Sequence, residues 1–552
     1  MTALHLSARA LDQLLGDWKT GASTYSSLAD RIRLLVLDGR IPAGSRLPAE
    51  RELSARLTLS RSTIGAAYAE LRASGFLRSV RGSGSIAQQP APGSTGTTRL
   101  RRPEDPPTQS TLNGSADSYG SVPSVPSAPS AAFAAFAETE QFTTAWSATG
   151  WSISSPDRTA GNHTARNRTA RNHTAAVIPA TPSLLNFTQA ALPAIAGVAE
   201  AFAASLDDLT AQLATPGFEP FGLQQLRQAI ADRYAERGLP THPDEILVTS
   251  GALQGLNLIA RTLLSRGDRV VVETPTYPHA ADALVAAGAR LVPVAVTAGE
   301  GWHEDAMLQA FARTAPALAF LMPDFQNPTG ESMGNDMRHR LVEAAERSGT
   351  VIVADETTAE LNIDREGEFA NLASLGDVVL LGSASKTMWG GLRIGWVRAS
   401  RPLIRRLLIA RASVDVGTPI LEQLVATRLV PQTTALVALR REQLRFGRDT
   451  LHALLAERLP EWSVPHLHGG LCSWVNLGRP VSSQLALSVR TRGVLMNAGP
   501  RFGLDGAFER FMRIPLSYSP AETERAVDAL QHAWLSLDAR AATPDPSVYD
   551  MV

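Results

Sequence analysis

The stretch Val378-Val-Leu-Leu-Gly-Ser-Ala-Ser-Lys-Thr-Met-Trp-Gly-Gly-Leu-Arg393 runs from an apolar block into a polar turn and sets a lysine just past the block. Four apolar residues followed by small and polar ones read as a buried strand ending in a turn, with Lys386 beyond its C-terminal end. Lysine is rare in this chain: of 52 lysines and arginines, only Lys19 and Lys386 are lysine. The difference is chemical. An arginine guanidinium stays protonated, whereas a lysine amine deprotonates when desolvated and can then form a Schiff base with a carbonyl. Taken alone, Lys386 reads equally as a solvated surface lysine in an arginine-biased chain, so the segments around it bear on the choice.

Several other apolar runs end on residues of distinctive chemistry. Ile246-Leu-Val-Thr249 leads into Ser250, Gly251 and Ala252 and then an apolar helix through Leu264. A small-residue turn opening a helix suits phosphate binding by free N–H groups, although many strand–helix turns share that composition. Val270-Val-Val-Glu-Thr-Pro-Thr-Tyr277 places Tyr277 in a loop after a strand, either as a stacking ring or as a core tyrosine. Ala319-Phe-Leu-Met-Pro-Asp-Phe-Gln-Asn-Pro-Thr-Gly330 presents Asn327 after another strand, as a turn residue or a ligand. Val351-Ile-Val-Ala-Asp355 ends on a carboxylate, readable as a helix N-cap or as the partner of a cationic ring. Ligands of open α/β sheets bind at such carboxyl ends. Strand-like runs alternating with helical patterns over 181–540 predict an α/β domain with a mainly parallel sheet and a small C-terminal α/β subdomain.

At 552 residues the chain is too long for one ordinary domain. No apolar run approaches the roughly 18 residues of a membrane span. The N-terminus lacks the charged start, apolar block and cleavage site of a signal peptide. A single cysteine, Cys472, excludes an intrachain disulfide framework. A cytoplasmic location is expected, and no metal site. Residues 89–180 are rich in Ser, Thr, Pro and Ala and contain a five-residue repeat from Arg158 to Ala175. Such a stretch buries too little apolar surface to offset its ordering entropy and reads as a flexible linker. Phe133, Phe136, Phe142 and Trp146 interrupt it and are candidates for a short docking helix. Residues 541–552 read as a tail.

Residues 1–88 form the third region, basic over 21–88, where ten arginines face five acids. Leu28, Ile32, Leu35 and Val36 have helical spacing. Pro48 to Leu57 reads as a second helix with proline in its first turn. Ser60 is a good N-cap for a third helix, Arg61 to Arg72, ended at Gly75. Phe76–Arg81 and Ser85–Ala87 flank Gly82-Ser-Gly84 as a hairpin. Helix, turn, helix and hairpin make a winged helix-turn-helix, although packing units without a DNA role share the helical part. The second helix of such a pair enters the major groove by its N-terminus, which puts Arg61, Ser62 and Thr63 nearest the bases. Arg51 and Arg81 suit phosphates, and Gly82 and Gly84 form the wing tip.

The words Leu47-Pro-Ala-Glu-Arg-Glu-Leu53, Ser60-Arg-Ser-Thr63, Ala67-Tyr68 and Arg81-Gly-Ser-Gly84 closely resemble the GntR family of bacterial regulators. From about 184 to 535 the chain resembles class I aminotransferases, fold-type-I enzymes of pyridoxal 5'-phosphate. That resemblance implies Lys386 as the Schiff-base lysine, Asp355 as the partner of the pyridine nitrogen, Asn327 on the phenolic oxygen and Tyr277 stacked on the ring. It implies Ser250, Gly251, Ala252, Ser383 and Arg393 around the phosphate, and Arg513 on a substrate carboxylate. There are three departures: Thr357 stands where the family usually has tyrosine, Phe218 where a neighbouring subunit usually lends a hydroxyl, and Phe325 where histidine is common. The two resemblances in one chain are those of the MocR regulators. They imply a double-stranded DNA operator, a homodimer, and pyridoxal phosphate or its amine adduct as effector. Two alternatives stay open: an active aminotransferase with a DNA-binding domain, and a DNA-binding scaffold with an empty, degenerate pocket.

Overall fold

A computed structural model describes residues 5–16, 18, 24–37, 40–80, 84–88 and 184–542, with side chains to 537. The linker, its aromatic docking candidates and most of the tail lie outside the described residues. So do Arg81 and Gly82 at the wing tip.

The N-terminal part contains α1 (Ala8–Leu15), α2 (Thr24–Leu37), α3 (Glu50–Leu57) and α4 (Arg61–Ala73), then β1 (Leu77–Val80) paired antiparallel with β2 (Gly84–Ala87). Leu28, Ile32, Leu35 and Val36 of α2 pack with Leu53, Ile64, Tyr68 and Leu71. The turn between α3 and α4 is made by Thr58, at φ 54°, and Ser60 caps α4 by accepting the Thr63 N–H at 3.0 Å. Two details differ from the sequence reading. α3 starts at Glu50, with Pro48 outside it, and the Pro48 carbonyl accepts the Tyr68 hydroxyl at 3.0 Å. α1 was not foreseen; it is capped by Ser7 and buries Leu11 and Leu15.

The larger part opens with β3 (Leu185–Asn186), then β4 (Ile246–Thr249), β5 (Arg269–Thr274), β6 (Arg290–Thr297), β7 (Gly301–Trp302), β8 (Leu318–Leu321), β9 (Val351–Asp355), β10 (Val378–Ser383) and β11 (Gly395–Arg398). One eight-stranded sheet runs β4-β11-β10-β9-β8-β5-β6-β7. Strands β10, β9, β8, β5 and β6 are parallel to their neighbours in that series, while β11 runs antiparallel to both β10 and β4. The two faces separate by alternation, as strand geometry requires. Val270, Val272, Phe320, Val353 and Leu381 pack on one side; Val271, Ala319, Leu321, Ile352 and Leu380 pack on the other. Because both faces are buried, these strands read as continuous apolar runs, and their parallel carboxyl ends open onto one edge.

A smaller sheet, β12 (Cys472–Asn476), β15 (Phe511–Pro515) and β14 (Asn497–Ala498), is antiparallel. It shares a second core with helices Thr433–Arg458, Ser482–Thr491 and Pro520–Ala542. β13 (Val494–Leu495) pairs with β3 from the far end of the sequence, closing this subdomain around the start of the larger part.

Candidate functional site

A cavity of about 770 Å³ lies at the carboxyl ends of β5, β8, β9 and β10, where they meet the small subdomain. Gly251, Ala252, Tyr277, Asn327, Asp355, Ser383, Lys386, Arg393 and Arg513 all line it. Ser250 is not among the lining residues; its carbonyl accepts Arg393 Nη2 at 3.0 Å. Residues drawn from separate words of sequence therefore converge on one space.

Lys386 follows β10 and donates to the Ala190 carbonyl at 2.9 Å. Burial lowers its pKa below the usual lysine range, the Arg513 guanidinium lowers it further, and Asp355 partly opposes both. Asp355, the last residue of β9, is 6% exposed. No helix follows it directly, so the N-cap role falls away; its Oδ1 accepts the Thr357 N–H at 2.9 Å. Burial raises its pKa, and the Thr357 hydrogen bonds and Lys386 oppose the rise. Tyr277 hydrogen-bonds its hydroxyl to His279 Nδ1 at 3.0 Å, and burial raises its pKa.

Arg513 is buried on β15. Its Nη2 donates to the Thr188 carbonyl at 2.6 Å and its Nη1 approaches Asn327 Oδ1 at 3.4 Å. Its Nε has no hydrogen-bond partner, and among the described residues it has no carboxylate partner. A buried guanidinium without a counter-charge is costly, and burial accordingly lowers its pKa. At the other end, helix Ala252–Leu263 begins at Gly251, φ 91°, with no side-chain cap. A Cβ on Gly251 would lie 2.7 Å from Arg393 Nη2. The glycine thus keeps open a cradle of free N–H groups beside an arginine, suited to an anion.

Lys386, Arg393, Arg490, Arg501 and Arg513 against Asp355 make the lining predominantly cationic. Such a lining fits a ligand with two anionic groups. Asn327, Asp355 and Lys386 are among the polar groups that line it.

Some contributors were not anticipated. Ser385, the second serine of Ser-Ala-Ser-Lys, lines the cavity and accepts the Ser383 hydroxyl at 2.9 Å. Thr188, Gln189 and Ala190 line it from a segment with no motif. Of the three departures, Thr357 and Phe325 line the cavity and bring no phenol or imidazole there. Phe218 is 66% exposed and lies off it.

On the N-terminal part, Arg51, Arg61 and Ser62 are exposed and Thr63 is half-buried. Gly84, at the start of β2, is exposed beside Arg46. The first turn of α4 therefore offers a polar edge to a groove. Away from the cavity, Asp364, His466 and His468 group together. Asp364 already pairs with Arg448 at 2.6 Å, so this cluster reads as an ion-pair network. No helix among the described residues is long and apolar enough to cross a membrane.

Residues 191–530 match the family of class I and II aminotransferases, and residues 24–86 match the bacterial regulatory proteins of the gntR family. An uncharacterised HTH-type transcriptional regulator of Bacillus subtilis (strain 168), YdfD, is 30% identical over 314 residues, covering 55% of this chain and 64% of that protein. The match thus spans just under two thirds of that relative's length. A 2-aminoadipate transaminase of Thermus thermophilus is 30% identical over 326 residues, covering 57% of this chain and 79% of that enzyme. The crystal structure of LysN, an alpha-aminoadipate aminotransferase of the same organism complexed with N-(5'-phosphopyridoxyl)-L-leucine, is similar with a TM-score of 0.60. Its identity is 27%, covering 65% of this chain and 93% of that one.

Proposed function

Because the chain belongs to the class I and II aminotransferase family and carries a gntR-family segment ahead of that domain, we propose that it is a DNA-binding transcriptional regulator of MocR type. It binds pyridoxal phosphate at Lys386 and responds to the cofactor or its adduct with an amine. The observation that carries this reading is one chain holding both an exposed reading edge, Arg61 and Ser62, and a cavity lined by Lys386 and Asp355.

Pyridoxal phosphate is the cofactor that the family and its relatives indicate, and the residues present fit it. When bound, it supplies an aldehyde for an amine and a cationic ring that withdraws electrons from it. Lys386 holds its amine in the reactive neutral form more readily than a surface lysine, because burial and Arg513 disfavour its charge. Asp355, buried without a full counter-charge, offers a carboxylate to keep a ring nitrogen protonated. Arg393 and the open N-terminus after Gly251 would hold its phosphate. Arg513 would offer its guanidinium to an effector carboxylate, and Tyr277 would face the ring. With Thr357 and Phe325 in place of phenol and imidazole donors, and with the Thr357 side chain already hydrogen-bonded to Asp355, binding is retained more readily than turnover.

The regulator acts as a homodimer on a double-stranded operator. Exposed Phe218 lies off its own cavity, as a residue contributed toward a partner would. Ligand binding switches such a dimer only by favouring one arrangement of the two readers over another. The test is binding to DNA adjoining the protein's own gene, at fixed salt with competitor DNA, with and without pyridoxal phosphate. A footprint or affinity that changes with the cofactor, and loses the response in Lys386→Ala, is the expected result. A specific complex indifferent to the cofactor would overturn sensing. The retention of Lys386, Asp355 and Arg513 together favours one second reading, an active aminotransferase. No specific complex, with amino-group transfer to a 2-oxo acid that Lys386→Ala abolishes, would establish it.

A further inference from the structure

Two residues of the DNA-reading part also line the cofactor cavity: Leu34 and Leu37 of α2. Neither joins the reader's own core, which takes Leu28, Ala29, Ile32, Leu35 and Val36 from the same helix. Leu34 is nevertheless buried, so its cover comes from where α2 is seated. That seat is helix Ser482–Thr491 of the small subdomain.

The seat is built rather than grazing. Arg31, one turn before Leu34, is 4% exposed; it donates to the Leu15 carbonyl at 2.9 Å and pairs with Glu509 at 3.7 Å. Glu509 in turn accepts the Ser483 N–H at 3.0 Å at the start of the seat helix. Backbones meet beside this pair: a Cβ on Gly16 would lie 1.8 Å from the Asp505 carbonyl oxygen. The same seat helix contributes Ala486, Leu487 and, at its exposed end, Arg490 to the cavity. At 770 Å³ the space lies in the upper part of the roughly 300–1,000 Å³ typical of small-molecule pockets, leaving room beside a cofactor.

We propose that α2 is one wall of the ligand cavity, that Leu34, Leu37 and Leu487 form an apolar subsite for the side chain of an α-amino acid effector, and that the effector fixes the reader's orientation by touching it. This rests on the reading that the cavity takes pyridoxal phosphate and that Arg513 takes the effector carboxylate. The contact reaches the reading helix in one step, because Arg33 of α2 pairs with Glu70 of α4 at 2.6 Å. Arg61 and Ser62 remain exposed while α2 is seated. The effector therefore orients the reading edge and does not cover it. The apolar residues Leu34 and Leu37 lie off the core stripe of α2 because they serve a second interface.

The experiment is calorimetric titration of the full-length chain, stripped of cofactor, with two non-reacting adducts, phosphopyridoxyl-L-leucine and phosphopyridoxyl-glycine. Burying a leucine-sized side chain predicts that wild type prefers the leucine adduct by about tenfold or more. The Leu34→Ala/Leu37→Ala variant is expected to bring that ratio close to one, and Leu37→Asn alone to lower it partway should the double variant fold poorly. A ratio unchanged in the variants, or near one in wild type, overturns the proposal while leaving the cofactor reading intact. Failure of wild type to bind either adduct overturns the cofactor reading itself.

Discussion

The DNA-reading part and the cofactor cavity keep their charges in opposite ways. On the reader, Arg51 and Arg61 stand in solvent. In the cavity, Lys386, Asp355 and Arg513 are withdrawn from water, and burial is the largest cause of each pKa shift. An exposed arginine gains from meeting a phosphate or base but loses little when left alone. A buried charge without a partner costs several kcal/mol, on the order of what a ligand returns by pairing with it. The cavity is thus strained toward occupancy and the reader is not, which suits a molecule that is switched at the first and reads at the second.

The sharpest way to break this contrast is Lys386→Ala. It is expected to abolish the covalent cofactor complex outright, read as loss of the long-wavelength absorption band, while leaving operator binding without cofactor unchanged. A band that survives the substitution would remove Lys386 from the role proposed for it. Next in size is Arg513→Gln. Charge-assisted hydrogen bonds are worth about 1.5–3 kcal/mol, so affinity for an amino acid should fall roughly ten- to a hundredfold. Affinity for the corresponding amine, which lacks the carboxylate, should hardly move. Equal losses for both would show that Arg513 serves the fold and not the ligand.

On the reader the effects are smaller and separable. Arg61→Ala is expected to weaken operator binding by about tenfold and relax base preference at one position, with the salt dependence nearly kept. Arg51→Ala should weaken all sequences alike and reduce the slope of affinity against salt by about one. Measuring both variants at several salt concentrations decides the assignment. An Arg61 variant that only lowers the slope would make it a phosphate contact.

What the sequence discloses follows the same divide. The reader's roles were readable because they are local: Ser60, for one, caps α4 three residues from its partner N–H. The strand-end residues were readable because doubly buried parallel strands leave continuous apolar runs, each with a marked last residue. What could not be read joins distant segments without a motif. Thr188 meets Arg513 across 325 positions and Ala190 meets Lys386 across 196. The second face of α2 was equally silent, since Leu34 and Leu37 look like surplus apolar residues until helix Ser482–Thr491 is placed beside them. α1 had a local signal, Ser7 before Leu11 and Leu15, that was short enough to pass over.

A test of a different kind asks whether burial perturbs charge beyond the ligand's reach. Glu273, on β5, is fully buried and accepts Trp302 Nε1 at 2.9 Å, the Met322 N–H at 3.0 Å and Gln326 Nε2 at 3.2 Å. Burial still pushes its pKa up to about 7 from 4.5, with nearby Asp355 adding to the rise. A carboxyl whose folded pKa is raised contributes stability that is present below its unfolded pKa and lost as pH rises through the folded value. For Glu273 that window runs from 4.5 to about 7, and at about 1.4 kcal/mol per pKa unit the loss is on the order of 3 kcal/mol. The melting temperature should therefore fall by several degrees between about pH 5 and pH 8 through this group alone. Glu273→Gln cannot titrate, so its melting temperature should vary less over that range, whatever its absolute value. An identical pH profile in the variant would mean that the three donors fully offset the burial. Glu273 would then be a satisfied carboxylate, and charge perturbed by burial would be confined to the residues that face the ligand.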